Sequence, residues 1–137
     1  MMKNKIVIST DKSPKAIGPY SQAVGVNNTS NIIYTSGQIP LDPKTGELIS
    51  DDFRDQVIQT LDNLQGILKN RNCTFDNLIK LTVYLIDLSN FDELNNIFQN
   101  YWEKAKVLNY PARSAIEVSK LPKNSKVEIE AVFYDEN

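Results

Sequence analysis

This sequence predicts an α+β fold: a mixed six-stranded sheet with two helices on one face. Three observations predict it. Two segments carry apolar residues at helical spacing, six short runs carry the pattern of strands, and the two kinds interleave as β-β-β-α-β-α-β-β. Nothing divides residues 1–137, since there is no internal repeat, low-complexity linker or compositional break. One domain is therefore expected.

The first three strands are read in "KIVIST" (5–10), "SQAVGV" (21–26) and "NIIYTSG" (31–37). Asp42-Pro43-Lys44-Thr45-Gly46 reads as a turn, with proline setting φ and glycine closing it. The first helix follows Ser50 as N-cap, with Asp51 and Asp52 in its first turn, where the helix dipole favours them. Phe53, Val57, Leu61, Leu64 and Leu68 then form one apolar stripe. "NLIKLTVYLID" (77–87) is the fourth strand, with Ile79, Leu81, Val83 and Leu85 alternating onto one face. The second helix follows Ser89, with Asp92 three residues on in a capping-box pattern. Phe91, Leu94, Phe98, Tyr101 and Ala105 mark its buried side. "RSAIEVS" (113–119) and "KVEIEAVFYD" (126–135) complete the set, and Val127, Ile129, Ala131 and Phe133 alternate in the last.

The opposite face of the sheet is not plainly polar. It carries Tyr84 and Ile86 in one strand and Val132 and Tyr134 in another. No third helix is available to cover these residues, so a partner subunit is expected to do so.

Composition bounds the chemistry. The chain has no histidine and a single cysteine, Cys73, so it lacks the side chains that most often transfer protons and attack carbonyls. A lone cysteine forms no disulfide within the chain, and a reducing, cytoplasmic setting is expected. The N-terminus has no signal-like apolar core, and no run approaches a membrane span. Four Cys or His ligands for structural zinc are not available, so only carboxylate sites for Mg²⁺ or Ca²⁺ remain conceivable, and "LDPKTGELISDD" lacks the spacing of a calcium loop. A net charge of −2 with scattered basic residues argues against a nucleic-acid partner.

Several residues could carry function, and each has a plainer reading. Arg113, in "NYPARSAIEV", follows the stiff Pro111 at the mouth of a strand. It is either a surface ion pair, worth about 0–1 kcal/mol, or a two-pronged clamp for a carboxylate. Glu128 points away from Val127 and Ile129, so it is an exposed strand residue unless a neighbour covers that face, in which case it could act as a general base. Asn95 shares a helix face with Phe91, Phe98 and Trp102, and its amide either caps a loop or meets a ligand. In "AIGPYSQAV", Gly18-Pro19 fixes where Tyr20 projects. In "TSGQIP", Ser36 and Gly37 form either a simple strand-end turn or a hydrogen-bond donor beside a close backbone approach. Without histidine to activate Ser36, a serine hydrolase is not expected.

Taken together, "AIGPYSQAV", "YTSGQIPLDPKTGEL", "NFDELN", "PARSAIEV" and "LPKNSKVEIEAV" resemble the reactive intermediate deaminase A (RidA, or YjgF-type) family, in the family's order and from about Ser13 to Tyr134. The resemblance implies a chorismate-mutase-like fold and a homotrimer whose sheets form a central barrel, with clefts between subunits. It implies cofactor-free hydrolysis of 2-imino acids and their enamine tautomers, such as 2-aminoacrylate and 2-iminobutanoate, to 2-keto acids and ammonia. PLP-dependent dehydratases would supply these substrates.

By the same resemblance Arg113 holds the substrate carboxylate and Glu128 the attacking water, while Tyr20, Ser36, Gly37 and Asn95 shape the cleft. Ala115 stands where relatives often have cysteine, so only its backbone could serve, and Phe98 stands where a tyrosine is common. The "VNNTSNIIY" hairpin and the segment before Pro111 are slightly longer than in relatives. Three rival activities belong to the same picture: a non-catalytic binding or regulatory trimer, a ribonuclease or translation inhibitor, and a holdase chaperone.

Overall fold

The computed structural model describes residues 4–27 and 31–136. The element order is β1 (Lys5–Ile8), β2 (Ala23–Val26), β3 (Asn31–Tyr34), α1 (Phe53–Asn70), β4 (Leu78–Leu85), α2 (Phe91–Lys104), β5 (Ala112–Glu117) and β6 (Val127–Asp135). All six expected strands and both helices are present in the expected order. The extra length expected in the "VNNTSNIIY" hairpin falls at residues 28–30, outside the described residues.

The strands do not form a single six-stranded sheet. β1 and β2 make an antiparallel pair, and the other four form a mixed sheet in the order β3-β6-β4-β5, in which only β4 and β5 run parallel. The two sheets meet at one bridge, between Ser21 and Ala112. The Ser21 N–H donates to the Pro111 carbonyl at 2.8 Å. Pro111 has no N–H, so the pairing cannot extend through it in the N-terminal direction.

One core lies between the larger sheet and both helices. It takes the expected α1 stripe of Phe53, Val57, Leu61, Leu64 and Leu68, together with Val127, Ile129, Ala131 and Phe133 of β6. In β4 a register irregularity between Leu78 and Lys80 changes the alternation. Leu78, not Ile79, joins Leu81, Val83 and Leu85 inside. On α2 the buried side is Leu94, Ile97, Phe98 and Trp102, whereas Ala105, expected inside, is exposed where the helix ends.

Both helix starts differ from expectation. α1 is capped by Asp52, whose carboxylate accepts from Asp55 N at 3.0 Å, and Ser50 bonds the Asp52 N–H one step earlier. α2 is entered through a single 3₁₀ turn at Leu88–Asn90, which Asp87 caps by accepting from Ser89 N at 2.9 Å. Aspartate wins both positions because its short carboxylate reaches backbone N–H groups that lack a partner inside the helix. The Asp42–Gly46 turn forms as read, with Gly46 at φ 72° and its N–H donating to the Asp42 carbonyl at 2.8 Å.

The second face of the larger sheet mixes polar and apolar groups. Thr82, Tyr84, Glu128 and Glu130 lie beside Val132, Ile116, Ile32 and Tyr34, and Tyr34 is 76% exposed. Tyr134, expected among the groups a partner would cover, is already fully buried within the chain.

Candidate functional site

The candidate residues fall into two groups on opposite faces of the larger sheet. The first gathers around Arg113. In the parallel pair, Arg113 stands opposite Leu81, a core residue, so its side chain enters the helix side of the sheet and meets α2. There Arg113 Nη2 donates to Asn95 Oδ1 at 2.8 Å. The guanidinium carbon lies 5.1, 5.6 and 5.4 Å from the ring centres of Tyr20, Phe91 and Phe98, within cation–π range.

The backbone explains this convergence. Pro111 sets the entry to β5, and Ser21 is bonded there twice, through its N–H to the Pro111 carbonyl and through its hydroxyl to the Tyr110 carbonyl. Tyr20 is thereby fastened beside the strand that carries Arg113. Gly18 permits the fit, since a Cβ there would stand 2.9 Å from Asn95 Oδ1. Asn95 therefore resolves as the partner of Arg113, not as a loop cap.

Arg113 makes no ion pair among the described residues; its reading as a surface salt bridge fails for this chain. Its Nε and Nη1 are buried without an acceptor among those residues. Burial pushes the guanidinium below its ordinary pKa, the Tyr20 hydroxyl acting in the opposite direction, yet an arginine in a protein remains a cation. Leaving such donors unpaired costs about 1–3 kcal/mol each. A planar anion with two oxygens would satisfy both at once.

The second group lies around Glu128, opposite Tyr84 and on the face away from the helices. After β3 the chain bulges. Thr35 N donates to the Ala131 carbonyl, but the return bond from Ala131 N goes to the Thr35 hydroxyl at 2.9 Å. Backbone pairing resumes at Gln38, which exchanges bonds with Ile129 at 2.8 and 2.9 Å. Ser36 and Gly37 thus oppose the single residue Glu130, the count that defines a β-bulge.

Gly37 lies directly against the Glu128 carboxylate. A Cβ at Gly37 would fall 1.8 Å from Glu128 Oε2 and 2.7 Å from Cδ. The close approach expected at Gly37 is therefore made first by a side chain of the same protein. Ser36 is exposed beside it, and Glu128 is half-buried. The carboxylates of this face also act on Tyr84, whose hydroxyl is pushed up by desolvation and by Glu130.

The chain thus unites Tyr20, Asn95 and Arg113, and separately Ser36, Gly37 and Glu128. It does not bring the two sets together. Arg113 is level with Leu81 and Glu128 with Tyr84, which separates their Cα atoms by about 14 Å, from three residues along a strand and two strands across. Their side chains also leave opposite faces. Ala115 lies on the helix side with Arg113, opposite Val83. The first set can grip an anion, and the second can take a proton from a bound water.

Thr35 and the packing of Phe91 and Phe98 on the guanidinium were not among the expected site features, and Gly18 was expected only to fix where Tyr20 projects. The i, i+4, i+7 spacing of Phe91, Asn95 and Phe98 was the signal for the rings. The role of Thr35 and the approach of Gly18 to Asn95 follow only from contacts between segments distant in sequence.

The endoribonuclease L-PSP family matches residues 10–134. The chain is 45% identical over 132 residues to a RutC family protein of Pyrococcus horikoshii, covering 96% of this chain and 99% of that one. It is 48% identical over 126 residues to the human 2-iminobutanoate/2-iminopropanoate deaminase, covering 92% and 87%. Among solved structures it resembles E. coli TdcF with bound serine, at TM-score 0.71 and 36% identity, covering 95% of this chain and 98% of that one.

Proposed function

The chain belongs to the endoribonuclease L-PSP family, the YjgF/RidA group that its motifs resemble, and from that premise we propose that it is a cofactor-free deaminase of small 2-imino acids. The observation that carries this reading is the Arg113 guanidinium, bonded once to Asn95 and left with two buried nitrogens that lack an acceptor among the described residues. The human relative's name as an imine deaminase supports it, as does the capture by TdcF of serine, which carries a carboxylate.

Arg113 binds the substrate carboxylate in a charge-assisted contact worth about 1.5–3 kcal/mol. The C=N carbon is already electrophilic, so no strong nucleophile is needed. Glu128 holds a water and takes its proton as the oxygen adds to C2. The tetrahedral adduct then loses ammonia, its nitrogen protonated and the C2–N bond broken, and leaves a 2-keto acid. The amount of imine and water consumed equals that of keto acid and ammonia formed. An enamine such as 2-aminoacrylate enters as its imine tautomer. Elimination reactions on amino acids, of the kind PLP-dependent dehydratases perform, supply these substrates, and the setting is the cytoplasm.

The two half-sites diverge within one chain, so the working cleft is composite. Arg113, Asn95 and Tyr20 come from one subunit, and Glu128, Gly37 and Ser36 from its neighbour in a homotrimer closed through the open sheet faces. The family's description as an endoribonuclease raises a second reading, against which stand the net charge of −2 and the absence of histidine.

The test is complementation. Arg113→Ala and Glu128→Gln chains are purified separately, then unfolded and refolded as an equal mixture. Each alone is expected to lose imine hydrolysis. The mixture is expected to regain about a quarter of wild-type activity, since that fraction of composite clefts receives an intact residue from each side. Mixed trimers that form, as seen by native mass spectrometry, yet stay inactive would overturn the composite cleft. An Arg113→Ala trimer with wild-type activity would overturn Arg113 as the carboxylate clamp, and a wild-type trimer that does not speed imine hydrolysis would overturn the deaminase reading itself.

A further inference from the structure

We infer that Gln22 is a positioning residue for the carboxylate site, pinning the loop at residues 10–17 and so holding Tyr20 on the Arg113 guanidinium. The inference rests on the reading of Arg113 as the carboxylate clamp.

Residues 11–17 have no regular structure and are all exposed. A single side chain makes four bonds to the start of this loop. Gln22 Oε1 accepts from Thr10 N at 2.7 Å, and Gln22 Nε2 donates to the carbonyls of Thr10, Ser13 and Pro14 at 3.1, 3.3 and 2.7 Å. Only an amide combines an acceptor with two donor hydrogens on one short group. The far end of the loop then delivers the Ile17 N–H to the Tyr20 hydroxyl at 3.2 Å. Tyr20 N in turn donates to the Gly18 carbonyl at 2.8 Å, which tightens the turn between them.

Three rings pack on Arg113, and they are not held alike. Phe98 is a fully buried core residue, and Phe91 lies on the same helix. Tyr20 sits on an irregular segment; its backbone is fastened through Ser21, and its hydroxyl end is held by the Ile17 bond just described. The guanidinium carbon lies over its ring at 5.1 Å, and the orientation of the planar fork decides whether a carboxylate meets two donors or one. Loss of the Gln22 bonds releases the loop, then the Ile17 contact, and then the ring. The hydroxyl proton of Tyr20 stays free for a ligand, because that oxygen is the acceptor toward Ile17.

The experiment uses the full chain with Gln22→Ala and with Gln22→Glu, which keeps the size and the acceptor but cannot make the three donated bonds when ionised. Calorimetric titration with 2-oxobutanoate, a product of the proposed reaction, is expected to show binding about fivefold to tenfold weaker in both variants, the scale of one or two lost neutral hydrogen bonds. KM should rise by a similar factor and kcat should stay within about threefold, since Glu128 is untouched. The Arg113 side-chain Nε–H resonance, shifted by the surrounding rings, should move toward an ordinary arginine position. On a Tyr20→Phe background, Gln22→Ala should add less than about twofold, because the hydroxyl through which it acts is gone. Gln22 variants with an unchanged Arg113 resonance, or losses fully additive with Tyr20→Phe, overturn the inference whatever the activity. A wild-type protein that binds 2-oxobutanoate yet hydrolyses no imine overturns only the deaminase reading, whereas 2-oxobutanoate binding that survives Arg113→Ala overturns the carboxylate clamp.

Discussion

Gly37→Ala isolates the position of the Glu128 carboxylate from its chemistry. The added methyl would fall 1.8 Å from Glu128 Oε2 and 3.0 Å from its Cγ. An uncrowded contact needs about 3.5 Å, so the carboxylate must withdraw by more than about 1.5 Å. Gly37 does not have the positive φ that Gly46 has, so alanine brings a clash and no backbone strain. The protein can yield cheaply, because the clashing atoms end a flexible side chain that is only half-buried. Turning Glu128 off its rotamer costs about 0.5–1.5 kcal/mol of stability. Catalysis is far less tolerant, since a misplacement of about 1 Å can cost about 10²-fold in rate. The expected result is kcat down about 10²-fold with KM little changed, because Arg113 still grips the carboxylate. A dehydratase generates the imine in situ, and the release of keto acid is followed. Gly25→Ala is the control, as its Cβ would meet nothing closer than Ile6 Cβ at 4.0 Å, and it should stay within about twofold of wild type. A folded Gly37→Ala protein with kcat within threefold of wild type would refute the reasoning, since the carboxylate would then have moved without consequence.

Two further outcomes concern stability. Gly66 lies inside α1 and a Cβ there would meet nothing within 4 Å, so Gly66→Ala should stabilise by about 0.5–1 kcal/mol and raise Tm by about 2–4 °C; a loss instead would mean that a neighbouring subunit closes on that helix. Lys5 is 9% exposed and donates to the carbonyls of Asp76 and Asn109 at 3.0 and 2.8 Å, and burial lowers its pKa to about 8 against the partial opposition of Asp76. The unfolded chain, with an ordinary lysine near 10.5, therefore binds more protons than the native state between those values, so this group adds stability as pH rises through the window. Chemical denaturation should find the stability of wild type relative to Lys5→Met increasing from pH 8 to 10, by at most about 1.4 kcal/mol per pH unit, and a flat difference would refute it.

Each half-site is assembled by a different device. The Arg113 half depends on a proline that ends a ladder and a glycine that lets Asn95 approach. The Glu128 half depends on a side chain, Thr35, that replaces a backbone acceptor and lets two residues bulge out.

The sequence by itself determined the periodic parts of this protein. The α1 stripe from Phe53 to Leu68 and the alternation in β6 are local, because one burying face imposes a repeat of 3.6 or 2 on neighbouring residues. The family motifs were legible for a related reason, since each is a short contiguous string around one polar group. The tertiary structure decided what depends on contacts across the chain. The irregularity that puts Leu78 rather than Ile79 in the core arises from pairing between β4 and β6, and the split into two sheets arises where Ser21 meets Pro111. The same holds for the site. Spacing placed Asn95 beside Phe91 and Phe98, and alternation put Glu128 on the face away from Val127 and Ile129, but only the parallel register of β5 on β4 sent Arg113 toward Asn95. Registers are set by bonds between residues 30 to 100 positions apart, and a one-residue slip reverses every side chain, so no local pattern could have told which candidates meet.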